Sequence, residues 1–203
     1  MIKKFIEHTG LAAGLARDNV DTDMIIPARY LTSTSREGYG KNLFKELREK
    51  DPDFFLNQER LGEASILISG RNFGCGSSRE HAVWALMQAG FRVIIAESFA
   101  DIFKSNSERN GLILVSLQRE IIRELLERAA ASELVLTVNL EKLSVSDRQG
   151  NLISTFEYDP FRRYCLLNEL DDLDYLLSFK AELMKFRTER AEKLFLGGED
   201  GES

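Results

Sequence analysis

An α/β fold with a mainly parallel sheet and flanking helices is predicted by two features of the sequence. Short β-branched runs alternate with helical patterns through residues 64–115, and a glycine-rich turn joins one such strand to its helix. Alternation of this kind packs helices on the faces of a sheet whose strands run the same way. A chain of 203 residues with 43% apolar side chains and only three prolines is long enough for one good core. Residues 1–196 are therefore expected to form a single domain, and 197–203, rich in glycine and acid, a disordered tail.

Taken in order, MIKKFIEHTG has no apolar run of signal-peptide length. No stretch of the chain approaches the roughly 18 apolar residues of a membrane span, so a cytoplasmic protein is expected. Residues 30–57 are polar, charged and dotted with glycine, the pattern of a mobile loop region with a short helix around 43–49. ASILISG then reads as a strand, RNFGCGSS as a turn, REHAVWALMQAG as a helix, RVIIAES as a strand, FADIFKSNSERNG as a loop and LILV as a strand. In QREIIRELLERAAAS, Ile121, Ile122, Leu125, Leu126 and Ala129 share one face of an amphipathic helix. LVLTVNL, LSVSD and LISTFEY alternate around the turn DRQGN, which predicts a hairpin or meander. Leu173, Leu176, Leu177, Leu183, Met184, Phe186 and Leu194 recur at near-helical spacing and predict a long C-terminal helix, packed on the sheet or on a partner.

Composition narrows the function. The formal charge is -6, the pI is about 5.2, and no lysine or arginine block exceeds a pair. Such a surface has no electrostatic grip on nucleic acid or anionic lipid, so any bound anion must be held by local positive groups. Cys75 and Cys165 have no CxxC spacing, which argues against a disulfide framework. With His8 and His81 they are too few for a convincing metal site, and a [4Fe–4S] cluster needs more thiolates than this chain has.

The stretch carrying chemistry is GRNFGCGSSREHA, Gly70 to Ala82, between an apolar strand and a helix. Glycines allow a sharp turn and a close approach of backbone to ligand. Ser77 or Ser78 is expected to cap the helix, whose N-terminal N–H groups favour an anion, and Arg79 adds a forked, always-charged donor. The result is a carboxylate or phosphate cradle, or, more plainly, a tight strand-to-helix turn with an ordinary cap. There is no Walker Lys-Ser/Thr pair and no G-x-G-x-x-G, so a nucleotide is disfavoured.

GRNFGCGSSREHA resembles the signature of the swivelling domain of the aconitase superfamily, and within it the small subunits of isopropylmalate isomerase. DNVDTDMIIPARYL, SFADIFKSNSERNGLI and FRRYCLLNELDDLDYLL resemble the longer bacterial form of that family in the same order, so the likeness spans nearly the whole chain. The resemblance implies a swivelling β/β/α domain, isomerisation of a hydroxy-dicarboxylate by loss and return of water, and a large-subunit partner in a heterodimer or heterotetramer. It also implies that the [4Fe–4S] cluster sits on that partner, leaving this chain with no cofactor of its own. Homoaconitase and methylmalate-type hydro-lyase small subunits share the fold and the serine. A non-catalytic carboxylate-binding subunit is a further alternative.

The same resemblance assigns Ser77 as the base that takes the carbon-bound proton and Arg79 as the group that holds a substrate carboxylate, with Ser78 as a supporting donor. It marks residues 30–38 as a substrate-recognition loop, in which Leu31 would meet the isopropyl group and Arg36 a carboxylate. Asp23, in NVDTD, lies in a turn near the active site and is the remaining candidate for substrate binding, although Asx and Thr residues also form turns without chemistry. Cys75 is expected to be inert packing and His81 structural. Asp101, Asn106 and Asn110 are expected to scaffold the site.

Overall fold

The computed structural model describes residues 3–31, 36–180, 184, 186, 187 and 190. Seven strands form one sheet in the order β4-β3-β2-β1-β5-β6-β7. They are β1 (Glu7–Leu15), β2 (Ile66–Ser69), β3 (Val93–Ala96), β4 (Ile113–Ser116), β5 (Leu134–Asn139), β6 (Ser144–Asp147) and β7 (Leu152–Thr155). β1 to β4 pair in parallel, whereas β5 to β7 form an antiparallel meander hydrogen-bonded to β1. The sheet is thus mixed, half of its pairings running each way. β1 itself has no sequence signal of its own, since EHTGLAAGL is poor in β-branched residues. It becomes a strand because both of its edges are paired, with Ala12 opposite Ile66 on one side and Leu134 on the other.

The parallel half has no polar face. Ile66, Ile68, Val93, Ile95, Ile113 and Val115 pack to one side, while Leu67, Ile94 and Leu114 pack to the other. In β2, β3 and β4, whose residues are apolar apart from the terminal Ser69 and Ser116, burial on both sides of the pleat means that both faces are covered. One face is covered by α5 (Arg119–Ala131), through Ile122, Leu125 and Ala129. The other is covered by α3 (Glu80–Gln88), α4 (Asp101–Asn110) and the long connection from β1 to β2.

That connection carries α1 (Thr22–Ile25), α2 (Lys45–Lys50) and 3-10 turns at Ala28–Tyr30, Gly40–Asn42, Phe55–Asn57 and Glu59–Leu61. Tyr39, Leu43, Phe44, Phe54 and Phe55 from this segment are buried in the core. The polar sequence of residues 30–57 conceals these five large anchors.

Two expectations change. The segment FADIFKSNSERNG forms α4 instead of a loop, ended by Gly111 at φ 80°. Only Phe103 and Ser107 of α4 are buried, so the helical stripe is too narrow to read as a periodic pattern. At the C-terminal end, α6 (Pro160–Asn168) stops at Glu169, and Asp171 then caps the separate α7 (Asp172–Ser178) through a capping box with Asp174. Leu173, Leu176 and Leu177 of α7 are 64%, 62% and 53% exposed, so this stripe does not pack on the sheet. Residues 180, 184, 186, 187 and 190 are helical. The rest of the expected 173–194 helix, and the tail 197–203, lie outside the described residues. No helix among the described residues is long and apolar enough to cross a membrane.

Candidate active site

The glycine-rich turn follows β2 and is held on both flanks. On one side Asn19 N donates to Arg71 O at 2.9 Å, Gly74 N to Val20 O at 2.7 Å and Thr22 N to Cys75 O at 2.9 Å. On the other, Phe73 N donates to Ser98 O and Ala100 N to Phe73 O, both at 3.0 Å. A loop with this many backbone partners behaves as part of the sheet. Its curvature depends on Gly74 and Gly76, at φ 79° and 92°, a region that only glycine visits freely. At Gly74 a side chain would also run into the ring of Phe103 on α4.

The turn delivers Ser77, Ser78 and Arg79 to the start of α3. Ser77 and Ser78 are exposed. The structure corrects the expectation that one of them caps the helix: the N-cap position is Arg79, and no side chain caps it. The chain stays extended through Arg79, at φ -125° and ψ 100°, so the serines stand outside the first turn. Their hydroxyls therefore remain unoccupied by described residues, and so do the Glu80 and His81 N–H groups that open α3, whereas Ala82 N donates to Arg79 O at 3.1 Å. Ser77 is fixed through its main chain, since Thr22 Oγ1 donates to Ser77 O at 3.0 Å. Thr22 is 2% exposed, and its role in holding Ser77 could not be read from a sequence in which threonine is a common turn residue.

The structure brings Asp23 and Arg79 together. Their side chains form an ion pair, with that of Arg79 only 16% exposed and that of Asp23 56% exposed. Contact with the Arg79 guanidinium holds the Asp23 carboxyl below the ordinary carboxylate range, opposed by slight burial. Arg79 Nη1 is buried, and its contact with Asp23 lacks the alignment of a hydrogen bond.

Leu31 and Arg36 stand apart from this group. Leu31 is half-buried against the core, just after the Ala28–Tyr30 turn. The guanidinium of Arg36 lies over the Trp84 ring, 4.9 Å from its centre, and Arg36 O accepts from Gln88 Nε2. Both contacts place Arg36 on α3, the helix that Arg79 begins. Residues 32–35, between Leu31 and Arg36, lie outside the described residues.

The remaining candidates have structural partners. Burial, followed by the Asp21 carboxylate, pushes the Cys75 thiol above its usual pKa, the direction that lowers its thiolate character. His81 packs edge-on against Tyr39 and Trp84, at 5.2 and 4.8 Å between ring centres. Asn110 accepts from Trp84 Nε1 at 3.0 Å and donates to Glu80 Oε1 at 2.8 Å, tying α4 to the first turn of α3. Among the described residues no three His, Cys, Asp or Glu side chains gather as a metal site. A cleft of about 990 Å³ is lined by residues such as Gln118 and Thr155, and four others of about 320 to 390 Å³ lie elsewhere; the lining of none of the five includes Ser77, Ser78 or Arg79.

Comparisons with known proteins agree with this fold. Residues 2–120 match the family of the aconitase C-terminal domain. The 3-isopropylmalate dehydratase small subunit of Francisella tularensis subsp. novicida is 49% identical over 87% of this chain and 92% of its own. Its counterpart in Dinoroseobacter shibae is 44% identical over 93% and 96% respectively. The crystal structure of a 3-isopropylmalate dehydratase from Methanocaldococcus jannaschii superposes with a TM-score of 0.64 at 28% identity, over 89% of this chain and 99% of that one.

Proposed function

This chain belongs to the family of 3-isopropylmalate dehydratase small subunits, and from that premise we propose how its residues share in the chemistry. It is a component of a hydro-lyase of leucine biosynthesis, in the aconitase superfamily, that interconverts 2- and 3-isopropylmalate by removing water and returning it. A large subunit is its partner, and we place the iron–sulfur cluster there, because the described residues of this chain offer no ligand set that fits one. A cytoplasmic location is our reading of a sequence whose two cysteines, Cys75 and Cys165, lack the spacing of a disulfide framework, which suits a reducing compartment.

The observation that carries the proposal is the free pair of serine hydroxyls beside a half-buried arginine at an uncapped helix N-terminus. Arg79 holds a substrate carboxylate through its planar fork, with Ser78 as a second donor. Ser77 takes the proton from the neighbouring carbon. A serine hydroxyl is a poor base, and its alkoxide form is favoured here by the N–H groups opening α3 and by the Arg79 charge. Leu31 meets the substrate's isopropyl group, and Arg36 meets a carboxylate. Ser77 lines none of the five clefts described for the lone chain. An open surface of this kind needs the large subunit to exclude water.

Ser77→Ala in the enzyme reassembled with its large subunit tests the assignment. Turnover should fall by at least about 100-fold, the lower range for loss of a general base. The melting temperature should hold, because Ser77 caps nothing. Near-normal turnover of that variant removes Ser77 as the base.

A further inference from the structure

We infer that Asp23 is a positioning residue, which holds one corner of the Arg79 guanidinium so that the opposite edge faces the substrate carboxylate beside Ser77. This rests on the reading of Arg79 as a carboxylate clamp. A guanidinium is planar and offers five N–H donors in a fixed fork, enough to serve two carboxylates at once. Asp23 takes the buried Nη1 corner as an ion pair. No hydrogen bond to a described residue occupies Nε or Nη2, which leaves an edge of the fork open for a two-pronged contact.

Asp23 is itself tied to the turn that carries the base. It lies in the first turn of α1, capped by Asp21, which accepts from Met24 N at 2.7 Å. The adjacent Thr22 bonds Cys75 O through its N–H and Ser77 O through its hydroxyl. One short element therefore sets both the main chain of Ser77 and the carboxylate that aims Arg79. Direct binding of substrate by Asp23 is the poorer assignment, because an ionised aspartate facing a dicarboxylate meets a like charge.

A double-mutant cycle on the two-subunit enzyme decides the role. Asp23→Asn should lower kcat/KM by about 10- to 100-fold, the scale of a misaimed substrate, with kcat falling as well as KM rising. In the Arg79→Lys background the same change should cost less than about twofold, because residues acting as one unit are not additive. Asp23→Glu, which keeps the charge, should recover part of the loss. Multiplicative losses in the double variant overturn the positioning role, as does an Asp23→Asn enzyme with normal kinetics beside a damaged Arg79→Lys. An Asp23→Asn subunit that fails to fold makes the residue structural and also overturns it. If Arg79→Lys alone is within threefold of wild type, the clamp itself fails and the inference with it.

Discussion

At the scale of single residues, the site depends on which polar groups remain free. An arginine usually stays in water with only its stem packed, yet the Arg79 side chain is 16% exposed and its partner Asp23 is not buried with it. The pair adds little to stability, since one half is solvated, but it fixes direction. Replacing Arg79 by lysine keeps the charge and loses the fork. Each charge-assisted hydrogen bond lost is worth about 1.5–3 kcal/mol, so kcat/KM should fall roughly 10- to 150-fold while the fold survives, as steady-state kinetics and melting will report. The Asp23 carboxyl has a lowered pKa in the folded chain, so its contribution is present above its unfolded pKa and is lost as pH falls through the folded one. An NMR titration should find Asp23 below the ordinary carboxylate range in the wild type, and shifted upward in Arg79→Gln.

At the scale of elements, the strand-to-helix turn works because three segments converge on it. Residues 17–22, residues 98–100 and α4 all contact the loop, through backbone bonds or through Phe103 beneath Gly74. Gly74→Ala should destabilise the subunit by more than about 1 kcal/mol, read as a lower denaturation midpoint, because the new methyl combines a left-handed backbone with a collision against Phe103. Activity should fall with it, since the same turn carries Ser77. The β1 to β2 connection divides into two parts. Buried Tyr39, Leu43, Phe44, Phe54 and Phe55 bind most of it into the core. Among the described residues, we place the mobile part of the 30–57 region at 36–38, which are exposed. Hydrogen exchange should therefore protect residues 43–50 and leave 36–38 fast, and uniform protection from 36 onward would count against a mobile segment there.

At the scale of the whole molecule, the mixed sheet separates tasks. Its parallel half ends in the turn that bears Ser77 and Arg79, while the meander β5–β7 extends the opposite edge. In open α/β sheets, ligands collect at the carboxyl ends of parallel strands, and the turn after β2 lies there. The lone chain has no well-formed cleft at Ser77 among those described above. It should therefore show no dehydratase turnover by itself and gain turnover on titration with the cluster-bearing large subunit. Activity of this chain alone would end the two-subunit reading.

Sequence alone determined the parallel strands β2 to β4, the amphipathic α5 and the meander, because each has a local pattern set by which faces are buried. It also singled out Ser77, Ser78 and Arg79, whose signal is a short contiguous motif. Tertiary structure alone decided what no local pattern contains. β1 exists because two strands pair with it, and α4 forms from a polar segment because Phe103 and Ser107 reach the core. The serines stay free because the chain is still extended at Arg79, a matter of backbone angles fixed by the flanking segments. The pairing of Asp23 with Arg79 joins residues far apart in the chain, and such a contact is written in the sequence only through the packing that closes the loop between them.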